Sequence, residues 1–192
     1  MVEQAVRLGM SLTDFVEKYQ VQPFELVNGE VVALSPNVVG HNFTAKRLFR
    51  VVDQHVESQK LGELAYETPF VLHDTPDWVK GSRTPDLMFF RAERWAAYTA
   101  AMPDWKEKPY ILVPDLSIEV VSPNDRYSEI DDKVEGYLTD GVQIVWVIDP
   151  QRHKVTVHTA ESDQPTILRA DGTLTGGEVL PGFSVPVKSL FE

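Results

Sequence analysis

A strand, a helix and a second strand follow one another between residues 115 and 148, and this order constrains the fold most strongly. Asp115–Val121 reads as a strand, and Ser128–Leu138 reads as a helix with a serine cap and acidic residues in its first turn. Val142–Ile148 is an almost unbroken apolar run, which is typical of a strand covered on both faces. A right-handed crossover through the helix would make the two strands parallel neighbours. The segment therefore predicts a mixed α/β core.

Regular elements are also expected on both sides of this segment. Asn28–Gly29 lies between two alternating apolar runs and predicts a β-hairpin over residues 23–35, ended by Ser35–Pro36. Apolar residues at helical spacing predict an amphipathic helix from His41 to about Ser58, with His41 on the stripe that faces the core. The other predicted segments are strands at Leu64–Leu72 and Thr84–Arg91, a short helix plus loop around Trp95 to Trp105, and a C-terminal β extension over residues 153–188.

Length and composition limit the kinds of protein to be considered. The chain has 192 residues and no cysteine, which excludes thiol catalysis, disulfide frameworks and iron–sulfur clusters. No apolar stretch approaches the roughly 20 residues of a membrane helix, and the N-terminus lacks the apolar core of a signal peptide. We therefore expect a soluble, cytoplasmic protein with no membrane partner. The length favours one domain over residues 1–192, with its core at about 41–149.

The charge of the chain bears on any nucleic-acid partner. Eighteen basic and 29 acidic residues give a net charge of -11, which opposes nonspecific attraction to a polyanion. Residues 1–100 contain 10 basic and 13 acidic residues, and residues 101–192 contain 8 and 16. We therefore expect a nucleic-acid surface mainly in the first half of the chain.

Two carboxylates occur in segments that should be buried strands. Asp86 opens the apolar run Leu87–Phe90, and Glu119 interrupts Leu116–Val121. Burial of a carboxylate is costly unless it is paired or metal-bound. Neighbouring strands lie about 4.8 Å apart, so the two carboxylates could share one divalent ion. The structural alternative is that Asp86 caps a turn and that Glu119 pairs with Arg83 or Arg91.

Lys133 is the third candidate residue. It lies in the helix that follows the strand of Glu119, about 7.5 Å from the start of that helix at 1.5 Å per residue, and Glu119 lies roughly 6.6 Å before the end of its strand. Because the chain reverses direction between them, we expect the two side chains at similar height. The alternative is that Lys133 pairs with Glu129 on a solvated helix face.

An ordered series of short motifs resembles the Uma-type endonucleases, bacterial members of the PD-(D/E)xK, restriction-endonuclease-like superfamily. The resemblance runs from about residue 23 to the C-terminus. The motifs that carry it are Phe24–Glu30, Ser35–Pro36, His41, Pro85–Leu87, Pro114–Pro123, Asp132–Lys133, Tyr137, Gly141–Val142, Trp146–Pro150 and Leu180–Phe183.

The resemblance implies a restriction-endonuclease-like core, in which a mixed central sheet is flanked by helices and carries the N-terminal hairpin and C-terminal β additions. It implies a metal-dependent endonuclease that cleaves DNA, with Asp86, Glu119 and the carbonyl of Val120 holding Mg²⁺, or Mn²⁺ as a substitute. Val121 stands where the superfamily signature has lysine, and Lys133 resembles a migrated replacement that orients water or neutralises the transition state.

The remaining assignments keep structural alternatives open. His41 and Glu30 either complete the site or are structural, and Glu25, on the same hairpin face, is an equal candidate for the inward carboxylate. Six basic residues are candidate DNA contacts, and a basic helix face can also be merely solvated; the candidates are Lys46, Arg47, Arg50, Arg83, Arg91 and Arg94. We expect a homodimer or higher homo-oligomer.

Two other functions are compatible with these residues. A catalytically silent, DNA-associated or oligomeric scaffold could keep the nuclease fold without cleaving. A glycoside hydrolase could use Asp86 and Glu119 as its carboxylate pair without any metal, and such an enzyme should ignore EDTA. Cleavage of plasmid DNA that depends on a divalent ion would separate the nuclease from both.

Overall fold

The computed structural model describes residues 7–34 and 38–192. Four α-helices lie in this part of the chain, at Leu12–Val21 (α1), Val39–Gln59 (α2), Ala92–Ala101 (α3) and Tyr127–Thr139 (α4). The strands are Met10–Ser11 (β1), Phe24–Val27 (β2), Glu30–Ala33 (β3), Gly62–Tyr66 (β4), Phe70–Thr75 (β5), Trp78–Arg83 (β6), Leu87–Arg91 (β7), Leu116–Val120 (β8), Ile144–Asp149 (β9), Lys154–Thr159 (β10), Ser162–Leu168 (β11), Thr173–Gly176 (β12) and Leu180–Pro186 (β13). Short 3-10 helices occupy Trp105–Glu107 and Val187–Leu190.

The chain divides into two compact units, each built from three segments. Unit 1 contains residues 1–35, 68–84 and 104–112, and unit 2 contains residues 36–67, 85–103 and 113–192. One domain over residues 1–192 stays a prediction.

Unit 2 contains a six-stranded mixed sheet with the strand order β11-β10-β9-β8-β7-β4. The neighbours β8 and β9 are parallel, and α4 connects them along the chain. The other strand pairs are antiparallel. The predicted strand–helix–strand crossover is therefore confirmed, and with it the mixed α/β core.

Apolar side chains of α2 form a core with one face of this sheet. Leu48, Val52 and Val56 on α2 are buried with alternate residues of β7 and β8, such as Phe89 and Ile118. The C-cap of this helix is Lys60, which has a left-handed backbone (φ 55°), and Gly62 (φ 152°) then starts β4. A Cβ on Gly62 would lie 1.9 Å from the carbonyl oxygen of Phe90, so glycine permits the close approach of β4 to β7.

Unit 1 contains a three-stranded sheet, β1-β6-β5, and the two-stranded β2–β3 hairpin. Its core consists of Phe15, Phe24, Leu26, Val71 and Val79. The hairpin is confirmed: Val27 pairs with Glu30, and Asn28 and Gly29 both have positive φ, as a type I′ turn requires. The predicted end of the hairpin at Ser35–Pro36 lies outside the described residues.

The predicted strand over Leu64–Leu72 is two strands instead. β4 ends at Tyr66 and belongs to unit 2, and β5 begins at Phe70 and belongs to unit 1. Glu67 has a positive φ of 47°, and Pro69 lacks the N–H that a continuous ladder needs. The apolar pattern continues across this break, so periodicity alone did not reveal it.

The C-terminal β additions differ from one another in their role. β10 and β11 extend the six-stranded sheet, and β12 and β13 pair separately. Leu174, Leu180 and Phe183 from the separate pair are buried in the core of unit 2. Within the described residues, no helix is long and apolar enough to cross a membrane.

Candidate active site

Asp86 and Glu119 lie at one end of the antiparallel pair β7–β8. Leu87 pairs with Ile118, so the same register, continued by one residue, sets Asp86 across from Glu119. Directly opposed residues of an antiparallel pair project on the same face, with Cβ atoms about 4.5–5.5 Å apart. Both acids belong to unit 2. The two carboxylates thus occupy the neighbouring positions that the sequence predicts.

Asp86 is fixed by two contacts to the same carboxylate oxygen. Its Oδ2 accepts a 2.7 Å hydrogen bond from the backbone N–H of Val120 and lies 3.0 Å from Nε2 of His41. Neither contact uses Oδ1, and the side chain of Asp86 is 13% exposed. The carboxylate is therefore oriented without being fully enclosed.

His41 reaches Asp86 from the first turn of α2, where it is buried, as predicted for the core-facing stripe. Burial of the ring by itself lowers the pKa of His41. The hydrogen bond to Asp86 and the charge of that carboxylate, with smaller effects of Asn42 and Glu119, raise the pKa and outweigh the burial. The net result is a pKa above the usual 6.5, which favours a protonated ring beside Asp86.

Glu119 is buried in β8 and contacts two side chains of α4. Nζ of Lys133 lies 3.1 Å from its Oε2, and the hydroxyl of Tyr137 donates a hydrogen bond to its Oε1. Lys133 is about one-third exposed, so its stem packs while its ammonium group remains near solvent. The structure therefore places Lys133 in contact with Glu119, at the same level along the strand, as the lengths of strand and helix predict.

Tyr137 is the site contact that sequence reasoning missed. Its spacing from Ile130 and Val134 indicates a residue that faces the sheet, and all three are buried. Periodicity indicates that a side chain points inward, but it does not indicate which atom its hydroxyl will reach.

The two hairpin carboxylates belong to unit 1. Glu25 is buried and accepts a 2.8 Å hydrogen bond from the backbone N–H of Thr84. Glu30, on β3, is exposed. Of the two equal candidates, Glu25 is the inward carboxylate, and its observed partner is a backbone amide.

The candidate DNA contacts differ in what already binds them. Lys46 and Arg50 are exposed on α2, whereas Arg47 donates a 3.3 Å hydrogen bond to the carbonyl of Ser189. Arg83 lies on β6 of unit 1 and is half-buried. Arg91 and Arg94 bind Asp115, with Nη1 of Arg94 2.9 Å from Oδ2.

Asp115 is the centre of a polar network at the start of β8. It is fully buried, and it also accepts hydrogen bonds from the backbone N–H of Arg91 at 2.9 Å and from Nε2 of Gln143 at 3.0 Å. Arg91 in turn donates to Oε1 of Gln143. No local sequence pattern distinguishes Asp115, because its partners are distant along the chain and are of residue types common on surfaces.

The residues around Asp86 and Glu119 have the chemistry of an oxygen-donor site. Among the described residues, no group of three or more His, Asp or Glu side chains is arranged to hold a metal ion. Mg²⁺ usually takes one or two carboxylates and keeps several waters. Two carboxylates and a backbone carbonyl fit that preference, and the donor set contains no sulfur ligand that would favour a softer metal.

A family model for Uma2, described as "putative restriction endonuclease", matches residues 13–188 of this chain. The chain belongs to the Uma2 family. The family resemblance identified from the sequence motifs is thereby confirmed, and family and fold together support a nuclease.

One solved structure is similar to this chain over nearly its whole length. It is a crystal structure described as a "putative nuclease belonging to DUF820" from Anabaena variabilis ATCC 29413, and the match covers 95% of this chain and 97% of that chain. The TM-score is 0.76 at 19% sequence identity, so this likeness concerns the fold. No curated protein matches the chain.

Proposed function

We propose that this Uma2-family protein is a divalent-metal-dependent endonuclease that hydrolyses DNA phosphodiester bonds. The observation that carries the proposal is the pairing of Asp86 with Glu119 at the end of β7–β8, with Lys133 bound to Glu119. Two opposed carboxylates repel one another, and a cation between them would relieve that repulsion.

Asp86, Glu119 and the backbone carbonyl of Val120 would hold the metal ion. Mg²⁺ is the expected ion, with Mn²⁺ as a substitute, because all three donors are oxygen atoms. When bound, the ion would supply a water of lowered pKa and positive charge against the phosphate. His41 would keep Asp86 in place through its contact to Oδ2, while the N–H of Val120 ties the same oxygen to β8.

Lys133 and Tyr137 would position Glu119 and contribute charge. The hydroxyl of Tyr137 fixes one oxygen of the carboxylate, and the ammonium group of Lys133 contacts the other. The partial exposure of Lys133 would let its ammonium group orient water or neutralise charge on the phosphate in the transition state. This role does not require lysine at position 121, where Val121 is buried.

Lys46 and Arg50 are the foremost candidates for DNA phosphate contacts, because both are exposed on the helix that carries His41. Arg47 and Arg83 would add to this surface. Arg91 and Arg94 would contact DNA only with groups not engaged by Asp115. A local basic surface is needed because the net charge of -11 repels a polyanion. We also propose that the protein is a homodimer and that it acts in the cytoplasm.

Nicking of supercoiled plasmid DNA tests the proposal. We expect nicking by the wild type with Mg²⁺ or Mn²⁺ and none with EDTA. Asp86→Asn and Glu119→Gln should each lower the rate by about 10²–10³-fold, since each removes charge at the reacting centre. Asp163→Asn, an exposed position on β11, is the matched control and should cleave like the wild type.

Two results would contradict the proposal. Absence of nicking with either ion across pH and salt would favour the catalytically silent scaffold. Activity that persists in EDTA would rule out metal dependence.

A further inference from the structure

Two large aromatic side chains among the described residues of unit 2 are more than half exposed. Phe43, on α2, is 72% exposed, and Tyr66, at the end of β4, is 58% exposed. Single exposed apolar residues are common and need no explanation. These two differ because each is on an element that contacts Asp86, close to the point of contact.

Strand pairing locates Tyr66 next to Asp86. Tyr66 pairs with Leu87, and the backbone N–H of the next residue, Glu67, lies 3.4 Å from the carbonyl oxygen of Asp86. β4 is the last strand of the six-stranded sheet, so it has no neighbour on its other side in that sheet. The backbone of Tyr66 is therefore close to that of the candidate metal ligand, at a sheet edge, and its side chain projects on the face of Leu87, which α2 covers.

The helix locates Phe43 at the same end of the unit. Phe43 follows two residues after His41, whose ring contacts Asp86. Phe49 lies six residues further along α2, about 9 Å at 1.5 Å per residue, and its ring packs edge-on against Tyr66 at 5.3 Å between centroids. Phe49 also packs on the core. Phe49, which packs on the core, thus supports the ring of Tyr66, and more than half of Tyr66 remains exposed.

The charge on α2 favours an anionic occupant near the candidate site. Residues 39–50 contain Lys46, Arg47 and Arg50 and no acid, whereas Asp53 and Glu57 lie on the last turns. Lys46 and Arg50 follow Phe43 by three and seven residues and so share its helix face. The positive half of the helix is therefore the half that carries His41 and Phe43.

Exposed aromatic rings next to exposed cations are typical of surfaces that bind single-stranded nucleic acid. Bases stack on the rings, and basic side chains contact the phosphates. In a duplex the base faces are stacked on one another, so a protein must unpair or flip a base before its own rings can stack on it. An apolar protein partner would not account for the two cations on the same stripe.

We propose that Phe43 and Tyr66 form a stacking surface for unpaired bases beside the candidate site, with Lys46 and Arg50 on the adjoining phosphates. The substrate class is then single-stranded or locally unpaired polynucleotide. This inference rests on the proposed nuclease function, and it specifies the substrate of that same site.

Oligonucleotide binding measured without cleavage tests the inference separately from catalysis. A fluorescent thymidine 20-mer and a duplex of equal length are titrated with the full chain in EDTA. Phe43→Ser and Tyr66→Ser should each weaken binding of the single strand by about 5-fold to 100-fold and leave duplex binding unchanged. Phe43→Trp should retain single-strand binding because it keeps a ring.

The control is Ile167→Ser, which removes an apolar side chain that is 55% exposed on β11, the opposite edge strand of the same sheet. Its affinities should equal those of the wild type. A uridine 20-mer distinguishes RNA from DNA as the source of the unpaired strand. Quenching of a 2-aminopurine base by the wild type, and its loss in Tyr66→Ser, would report stacking directly.

The outcomes separate the two proposals. The inference is overturned if both serine variants bind the single strand as tightly as the wild type does. It is also overturned if they lose affinity for single strand and duplex equally and Ile167→Ser shows the same loss. Both conclusions hold even if the plasmid is nicked. Aromatic-dependent single-strand binding by a protein that never cleaves would support the stacking surface and overturn the nuclease.

Discussion

The two ends of β8 carry two different kinds of buried acid. Asp115, just before the strand, is bound by two guanidinium groups, one side-chain amide and one backbone N–H. Glu119, near its end, shares its position with Asp86 and contacts one ammonium group and one hydroxyl. With His41 protonated, the second cluster within unit 2 has no net charge and two opposed carboxylates, whereas the first has one carboxylate and an excess of positive charge.

This difference separates a structural acid from a candidate ligand. Burial alone does not distinguish Asp115 from Glu119, since both are buried. An acid bound by two guanidinium groups has no reason to bind another cation, whereas two opposed carboxylates that repel one another do.

The largest effect should come from removing Asp115. Asp115→Ala leaves the backbone N–H of Arg91 and the side-chain amide of Gln143 without their buried acceptor, and it should lower the free energy of unfolding by about 3–5 kcal/mol. Urea denaturation measures the loss. A change below about 1 kcal/mol would remove the distinction between the two ends of β8.

Metal binding at Asp86 and Glu119, at the other end of β8, should stabilise the folded protein. At a Mg²⁺ concentration of about 100 times its Kd, the wild type should gain about 2.7 kcal/mol in unfolding free energy, because the ion binds only the folded state. Asp86→Asn should abolish this gain, and Asp163→Asn should retain it. Thermal unfolding with and without Mg²⁺ provides the measurement, and an equal gain in Asp86→Asn would contradict the ligand assignment.

Neutralising Glu119 should cost little stability when no metal is present. Glu119→Gln keeps an acceptor for Tyr137 and relieves repulsion with Asp86, while Lys133 is already partly solvated. We expect a change within about 1 kcal/mol in urea denaturation. A loss as large as that of Asp115→Ala would make Glu119 a structural acid as well.

The smallest effect should be a pH dependence caused by His41. Because its pKa is raised in the folded protein, its stabilising contribution is fully present below pH 6.5 and is lost as the pH rises through the folded pKa. The unfolding free energy of the wild type should therefore fall more between pH 6 and pH 8 than that of His41→Gln. Parallel curves for the two proteins would contradict this expectation.

The sequence alone predicts the central part of the fold because its signals are local. The apolar run of β9, the periodicity of α2 and the Asn28–Gly29 turn each depend on residues close in the chain. The sequence does not predict helix α1, since Phe15 is its only buried residue and its apolar stripe is narrow. Strand β6 was missed because it carries Lys80 and Gly81, which weaken a strand pattern.

The same difference between local and distant signals applies to the contacts of the candidate site. Lys133 and Glu119 are joined by one crossover whose dimensions follow from strand and helix rise, so their contact could be anticipated. The bond from Tyr137 to Glu119 depends on a hydroxyl position that periodicity does not specify. The Arg91, Arg94 and Gln143 network depends on a register between distant segments, which no local pattern encodes.

The interleaving of the two units has a consequence for synthesis on the ribosome. Unit 1 requires residues 104–112, and unit 2 requires residues 113–192, so the polypeptide leaves and re-enters each unit before either is finished. Chains grow from the N-terminus at about 5–20 residues per second. A nascent chain of 84 residues would contain only parts of both units, and no single contiguous stretch could be expressed to give unit 1 alone.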